Sequence, residues 1–305
     1  MITIKKENLL WLEFRCALVH SLLSKKEIEI HGIDKVDSKY NPLIEDIKNI
    51  TINYFQCQWL LKNDILHFIP GKVNSGKYNL ASGDYSSAIE ILLFLMPILF
   101  EQNHSSVVTI EGVTHCSFGR SSGFIKEGIL PMLEKWGLYA SCKLERFGFY
   151  GTGKGKVVSH IYPSECKEDK TEEKKLEIFG CRIFISGLST ALAERQKKLL
   201  SSTLNIDEST ITIMEIVNAA GMGNSLIVYT NNGVFCCDID AYNEVGDLIY
   251  NEDDAKLNIE SMVKEIKDVK VNSYISKDIL HEVEIFNGIE LDSQGISGKM
   301  KSLFK

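Results

Sequence analysis

Proline is scarce in this chain, five residues among 305, and none of its eight cysteines forms a CxxC pair. With 44% hydrophobic and 25% charged residues, the composition is that of a globular protein and excludes disorder as the main state. The length is enough for a full hydrophobic core, in one large domain or two smaller ones. Cys16, Cys57, Cys116, Cys142, Cys166, Cys181, Cys236 and Cys237 are scattered through apolar runs, so they read as reduced core residues. No basic-then-apolar leader stands at Met1 to Leu12, which makes an intracellular location the default expectation. The longest apolar run, Ile89 to Phe100, is about a dozen residues where a bilayer span needs ~20, so it is expected to be a buried helix.

Positive charge is also short. Lys plus Arg number 34 against 41 Asp plus Glu, a net charge of −7, so the chain as a whole does not attract polyanions and any nucleic-acid contact must be local. His20, His31, His67, His104, His160 and His281 are dispersed, without the close spacing of a helical zinc pair. His115-Cys116 and Cys236-Cys237 are adjacent pairs on expected strands, where neighbours point to opposite faces. No metal site follows from either.

What the sequence does contain is a recurring pattern, an apolar-periodic helix followed by a short strand that ends in glycine. It runs from Phe14 to Gly32, from Ile89 to Gly112 and from Ile125 to Gly148. Each copy leaves one helix face and one sheet face unburied, so the copies must pack side by side in a layered α/β architecture. Asn63-Asp64 and Asn231-Asn232-Gly233 are expected to be hairpin turns. The charged stretch Ser164 to Lys175 reads as a solvated loop and a boundary. The expected organisation is residues 1–180 for repeats one and two with the start of a third, 181–247 for a smaller inserted α/β domain, and 248–305 for a shortened last repeat that includes the amphipathic helix Ala255 to Ile266.

Two glycine-rich stretches, Gly71 to Lys77 and Gly148 to Lys154, approach a phosphate loop. Tyr78 and Gly155 stand where the magnesium-binding Ser or Thr would be, and each stretch leads into a strand, so turns are expected. Lys154 and Lys156 beside the second stretch are candidate anion ligands. Arg15, at the start of the first repeat helix, and Arg120, in the Gly119 to Gly123 loop, are further candidates for anion or RNA contact, each weighed against a salt-bridged structural arginine.

Several of these residues carry a resemblance. Phe68-Ile69-Pro70-Gly71, Gly112-Val113-Thr114-His115, Leu130 to Gly137 and Gly148-Phe149-Tyr150 resemble motifs of the RNA 3′-terminal phosphate cyclase family. Weaker similarity covers Phe14-Arg15, Asn41-Pro42-Leu43, Ala193-Glu194-Arg195 and Ala255 to Ile279. The Phe14-Arg15 entry is similar to the cyclase-like branch found in the small-subunit processome. The resemblance implies repeated α/β units around a smaller inserted α/β domain. It also implies chemistry in which ATP adenylates a histidine near the C-terminus, which then activates the RNA 3′ phosphate.

Here Leu10-Trp11-Leu12-Glu13 replaces the family's Gly-Gly-Gln element, and His281 stands too early to match the catalytic histidine. The resemblance therefore leads us to expect no catalytic residue, no metal and no cofactor. The expected role is a non-enzymatic nucleolar factor for 18S pre-rRNA processing, contacting pre-rRNA and small nucleolar RNA and docking a ribosome-biogenesis GTPase through Lys299 and Lys301. The alternative is an ATP-dependent RNA 3′-terminal phosphate cyclase using a relocated histidine.

Overall fold

The computed structural model describes residues 2–5, 9–165, 176–231, 233–243 and 245–268. Its first unit runs β1 (Ile2–Lys5), α1 (Trp11–Ser24), β2 (Ile28–His31), α2 (Asn41–Phe55), β3 (Gln58–Lys62) and β4 (Ile65–Ile69). α1 begins where Glu13 reaches back to accept the Leu10 amide at 3.2 Å. It stops at Lys25, which is left-handed with φ 56°. Pro42 sits in the first turn of α2, where its missing N–H leaves no helical bond unmade. Asn63 and Asp64, at φ 49° and 61°, turn β3 into β4 as the sequence predicts, because both central residues of such a hairpin must adopt positive φ.

The second unit repeats this order: β5 (Lys77–Ala81), α3 (Ala88–Phe100), β6 (Ser106–Gly112), α4 (Leu130–Lys135), β7 (Ala140–Arg146) and β8 (Gly155–Ile161). Residues Phe124–Ile129, just before α4, are wound as a wider π-type helix. Ser87 caps α3 by accepting the Glu90 amide at 3.2 Å. Every residue of α3 is buried, as expected for a helix whose side chains are apolar on every face apart from Glu90.

The two sheets share one connectivity, β1-β2-β4-β3 and β5-β6-β8-β7, in which the first two strands are parallel and the rest antiparallel. The true repeat is thus a β-α-β-α-β-β unit, larger than the helix-plus-strand pattern read from the sequence. The second and third copies of that pattern are the two halves of one sheet. The short leading strands β1 and β5 carry too few apolar residues to announce themselves, and only pairing with β2 and β6 defines them.

The third sheet is built from β9 (Ile178–Ser186), β10 (Ile211–Glu215), β11 (Gly223–Thr230) and β12 (Gly233–Asp240), with α5 (Thr190–Leu204) between β9 and β10. Its order, β10-β9-β11-β12, differs from the other two sheets. α6 (Glu252–Asp268), assigned from sequence to the last repeat, packs instead on β12 and α5. Its Ala255, Ile259, Met262, Val263 and Ile266 join Ile183, Leu226 and Phe235 in a separate core. The opposite face of this sheet sends Phe184, Ile227 and Val234 into the large core shared by the first two units.

Candidate functional site

Glu90 is the one acid in the apolar run of α3, and it is 3% exposed. A buried carboxylate must be paired and hydrogen-bonded to persist. Its Oε2 accepts from Trp11 Nε1 at 2.9 Å and from Arg15 Nη1 at 3.1 Å, and its Oε1 accepts the Arg120 backbone amide at 3.1 Å. Glu90 therefore ties α1 of the first unit and the 119–123 loop of the second to a single helix. Tyr40 completes the knot. Its ring stacks on Trp11 with centroids 5.2 Å apart, and its hydroxyl donates to the Phe118 carbonyl at 2.9 Å. Burial raises the Tyr40 phenol to about 12, so the hydroxyl stays protonated at neutral pH.

Trp11 thus packs at the head of α1, between the Tyr40 ring and the Glu90 carboxylate. Arg15 lies elsewhere than a free helix end. It is 1% exposed and held by Glu90, out of reach of any RNA phosphate in this arrangement. Arg120 is half-buried, with its guanidinium carbon 5.3 Å from the Phe124 ring centroid.

Arg120 forms one wall of a polar cavity of about 220 Å³ at the junction of the second unit with the third sheet. Cys116, Ser117, Ser121, Asp238 and Glu265 also line it. Asp238 and Asp240, two apart on β12, face the same side of the sheet. Asp240 accepts Ser117 N at 3.1 Å and Ser117 Oγ at 2.5 Å, which clasps the third sheet to the loop after β6. Burial raises the Asp240 carboxyl to about 6. Asp238 is pushed to about 8, chiefly by burial and further by Asp240, and its Oδ1 is enclosed without a hydrogen-bond partner.

At the second glycine-rich stretch five backbone amides are spent on protein acceptors. Gly148 N donates to Thr114 Oγ1, Phe149 N to the Ala220 carbonyl, Gly151 N to the Asp84 carbonyl, and Thr152 N and Gly153 N to the Phe149 carbonyl. What this turn offers an anion is therefore side-chain charge, from exposed Lys154 and from Lys156, whose Nζ lies 3.2 Å from Glu145. The Gly71 stretch likewise packs inward, because a Cβ at Gly71 would meet the Phe55 carbonyl oxygen at 1.8 Å.

His115 is 2% exposed and stacks on Phe147 with centroids 4.7 Å apart. Its Nδ1 lies 2.9 Å from Thr114 Oγ1 and its Nε2 3.4 Å from Ser122 Oγ. Burial lowers it to about 3, so it is a neutral, enclosed imidazole. Among the described residues no group of three or more His, Cys, Asp or Glu could hold a metal ion, no helix is long and apolar enough to cross a membrane, and the cysteines are free. Cys166, His281, Lys299 and Lys301 lie outside the described residues.

Sequence reasoning missed Glu90, Asp238, Asp240 and Ser117. A lone acid in a dozen apolar residues, and acids two apart in an apolar strand, were the available signals. Spacing did not say which partners they meet.

Repeated β-α-β-α-β-β units, with a differently connected third sheet clasped against them, define a repeat-built α/β protein with an interdomain polar cavity. A family model described as RNA 3′-terminal phosphate cyclase matches residues 13–238, and the chain belongs to that family. A protein named RNA 3′-terminal phosphate cyclase from Koribacter versatilis is 30% identical over 165 residues, covering 53% of this chain and 46% of that protein. Those of the same name from Pseudomonas aeruginosa and Ectopseudomonas mendocina are each 25% identical, over 57% and 70% of this chain and 51% and 64% of theirs. This chain spans about half the length of most of these curated relatives. Among solved structures, the enolpyruvyl transferase NikO from Streptomyces tendae aligns with a TM-score of 0.33 and 11% identity, over 52% of this chain and 31% of that one, a likeness too slight to bear on function.

These relatives correct the reading as a non-enzymatic assembly factor. All of those named here carry the name of an enzyme, which overturns both the assembly-factor role and the expectation that the chain is not an enzyme. That reading weighted the altered Leu10 to Glu13 element and the place of His281 above the resemblance spanning most of the chain. The processome, the GTPase partner and the nucleolar location rested on it and lose their basis.

Proposed function

We propose that this chain acts in the ATP-dependent cyclisation of RNA 3′-terminal phosphates. The observation that carries the reading is the family match across residues 13–238, together with relatives named for that activity. A terminal phosphate is a poor electrophile until one of its oxygens becomes a leaving group. Transfer of AMP to it supplies that group, and attack by the neighbouring 2′-hydroxyl closes the ring and releases AMP.

Arg120 on the cavity wall and Lys154 and Lys156 at the glycine-rich turn are the cations proposed to meet phosphate. Arg15 acts behind them as a positioning residue, holding the Glu90 carboxylate that in turn fixes the Arg120 backbone. His281 is proposed as the adenylyl acceptor.

The test is incubation of the purified chain with ATP, magnesium and an RNA ending in a 3′ phosphate. The expected result is an end resistant to phosphatase, with acid-labile label from ATP on the protein that H281A abolishes. An RNA end that stays fully phosphatase-sensitive would overturn the reading.

A further inference from the structure

Among the described residues, the helices of the second unit cover one face of its sheet and leave the other partly exposed. Along β5 the exposed positions are Lys77, Asn79 and Ala81, while Tyr78 and Leu80 are buried. Along β7 and β8 the outward positions are Ser141, Lys143 and Glu145, and Lys156, Val158 and His160. The register sets Lys143 opposite Val158 and Arg146 opposite Lys156. Four cations, Lys77, Lys143, Arg146 and Lys156, thus share this region with two carboxylates, Glu111 and Glu145, in a chain whose net charge is −7. Glu145 is already engaged by Lys156 at 3.2 Å and Lys143 at 3.6 Å.

The same face ends in two aromatic rings. Tyr162 N donates to the Tyr139 carbonyl at 3.0 Å, continuing the ladder in which Ala140 faces Ile161. Side chains alternate along a strand, so Tyr139 and Tyr162 fall on the side of Ser141 and His160. They are 48% and 47% exposed. A basic surface interleaved with aromatics suits bases that stack and phosphates that follow.

We infer that this partly exposed face, from Tyr139 and Tyr162 at one end to Lys156 at the other, is a docking surface for single-stranded RNA. It is about 20 Å long, the length of a seven-residue strand, and it leads to the glycine-rich turn between β7 and β8. The inference deepens the cyclisation reading by giving the RNA upstream of its 3′ end a path over the protein. Lysines hold the backbone and the tyrosine pair takes bases, so binding tolerates sequence and depends steeply on salt.

The test is fluorescence anisotropy of a short labelled single-stranded RNA with a 3′ phosphate, against the full chain and surface variants, with cyclisation assayed on the same proteins. Y139A/Y162A is expected to weaken binding about tenfold or more, while Y139F/Y162F, which keeps the rings, binds as wild type. K77Q and K143Q are each expected to flatten the log–log salt slope by about 0.7. Unchanged affinity in Y139A/Y162A, or no RNA binding by the wild type, overturns the surface. So does loss of self-association in Y139A/Y162A with RNA affinity intact, which would assign the rings to a protein contact. Binding that follows these expectations without cyclisation supports the surface and removes the proposed function. Cyclisation with unaltered binding in every variant does the reverse.

Discussion

Arg15 in α1 and Glu90 in α3 meet inside the protein, Nη1 to Oε2 at 3.1 Å, with 1% and 4% of their side chains exposed. The pair joins the first helix of one unit to the first helix of the next, at equivalent places in two copies of the same topology. Buried ion pairs recover their desolvation cost only when the remaining polar atoms are also bonded, and here Trp11 and the Arg120 amide complete the carboxylate. An arginine that reads as a ligand in sequence is thus a strut between repeats.

R15A is expected to destabilise the chain by about 3–5 kcal/mol, because Glu90 is left charged and underpaired in the core. The double variant R15M/E90Q is expected to recover much of that loss. Urea denaturation followed by tryptophan fluorescence, which also reports Trp11 in the same knot, measures both. A loss below about 1 kcal/mol for R15A would contradict the assignment.

Asp238 titrates at about 8 in the folded chain, against an ordinary carboxyl value of 3.8. The folded state therefore holds the proton more tightly, and stability falls as pH rises from about 4 towards 8. D238N cannot ionise. It is expected to be more stable than wild type at pH 8 by a few kcal/mol, in order of magnitude, and to show a flatter pH dependence there. Thermal midpoints from pH 5 to pH 8.5 decide it, and parallel curves for the two proteins would refute it.

His115 works in the opposite direction. Its folded value, about 3, lies below the ordinary 6.5, so the unfolded chain takes up the proton first as the solution is acidified. The stability it supplies is present above pH 6.5 and is lost towards pH 3, at up to about 1.4 kcal/mol per unit. H115N is expected to lower stability at pH 7 through lost stacking on Phe147, yet to soften the decline below pH 6. Denaturation midpoints for both proteins between pH 4 and pH 7 check this.

Gly148 is pressed against backbone. A Cβ there would come within 2.3 Å of Gly155 N and 2.6 Å of the Gly153 carbonyl oxygen. G148A must open the turn between β7 and β8, at a cost of several kcal/mol in order of magnitude. Amide hydrogen exchange should then accelerate at Thr152, whose bond closes the turn, and at Phe149 and Gly151, whose bonds tie it to Ala220 and Asp84, while α5 and α6 remain protected. Protection unchanged across the turn would contradict the tight packing.

Local signals in the sequence determined local structure. Asn63-Asp64 specified a hairpin because few residue pairs tolerate two positive φ angles in succession, and Ile89 to Phe100 specified a buried helix because every face of it is apolar apart from Glu90. Layered α/β architecture followed, since each helix and strand exposed an apolar side needing cover. Tertiary structure alone decided that two helix-and-strand copies belong to one sheet, that α6 packs on the third sheet, and that Arg15 points at Glu90. Asp238 and Asp240 acquire their raised values only once folding buries them, against the lowering hydrogen bonds from Ser225 and Ser117. Periodicity in a chain encodes which face of an element is buried. What buries it, and which charge then meets which, depends on contacts between residues far apart in sequence, as with the 75 positions separating Arg15 from Glu90.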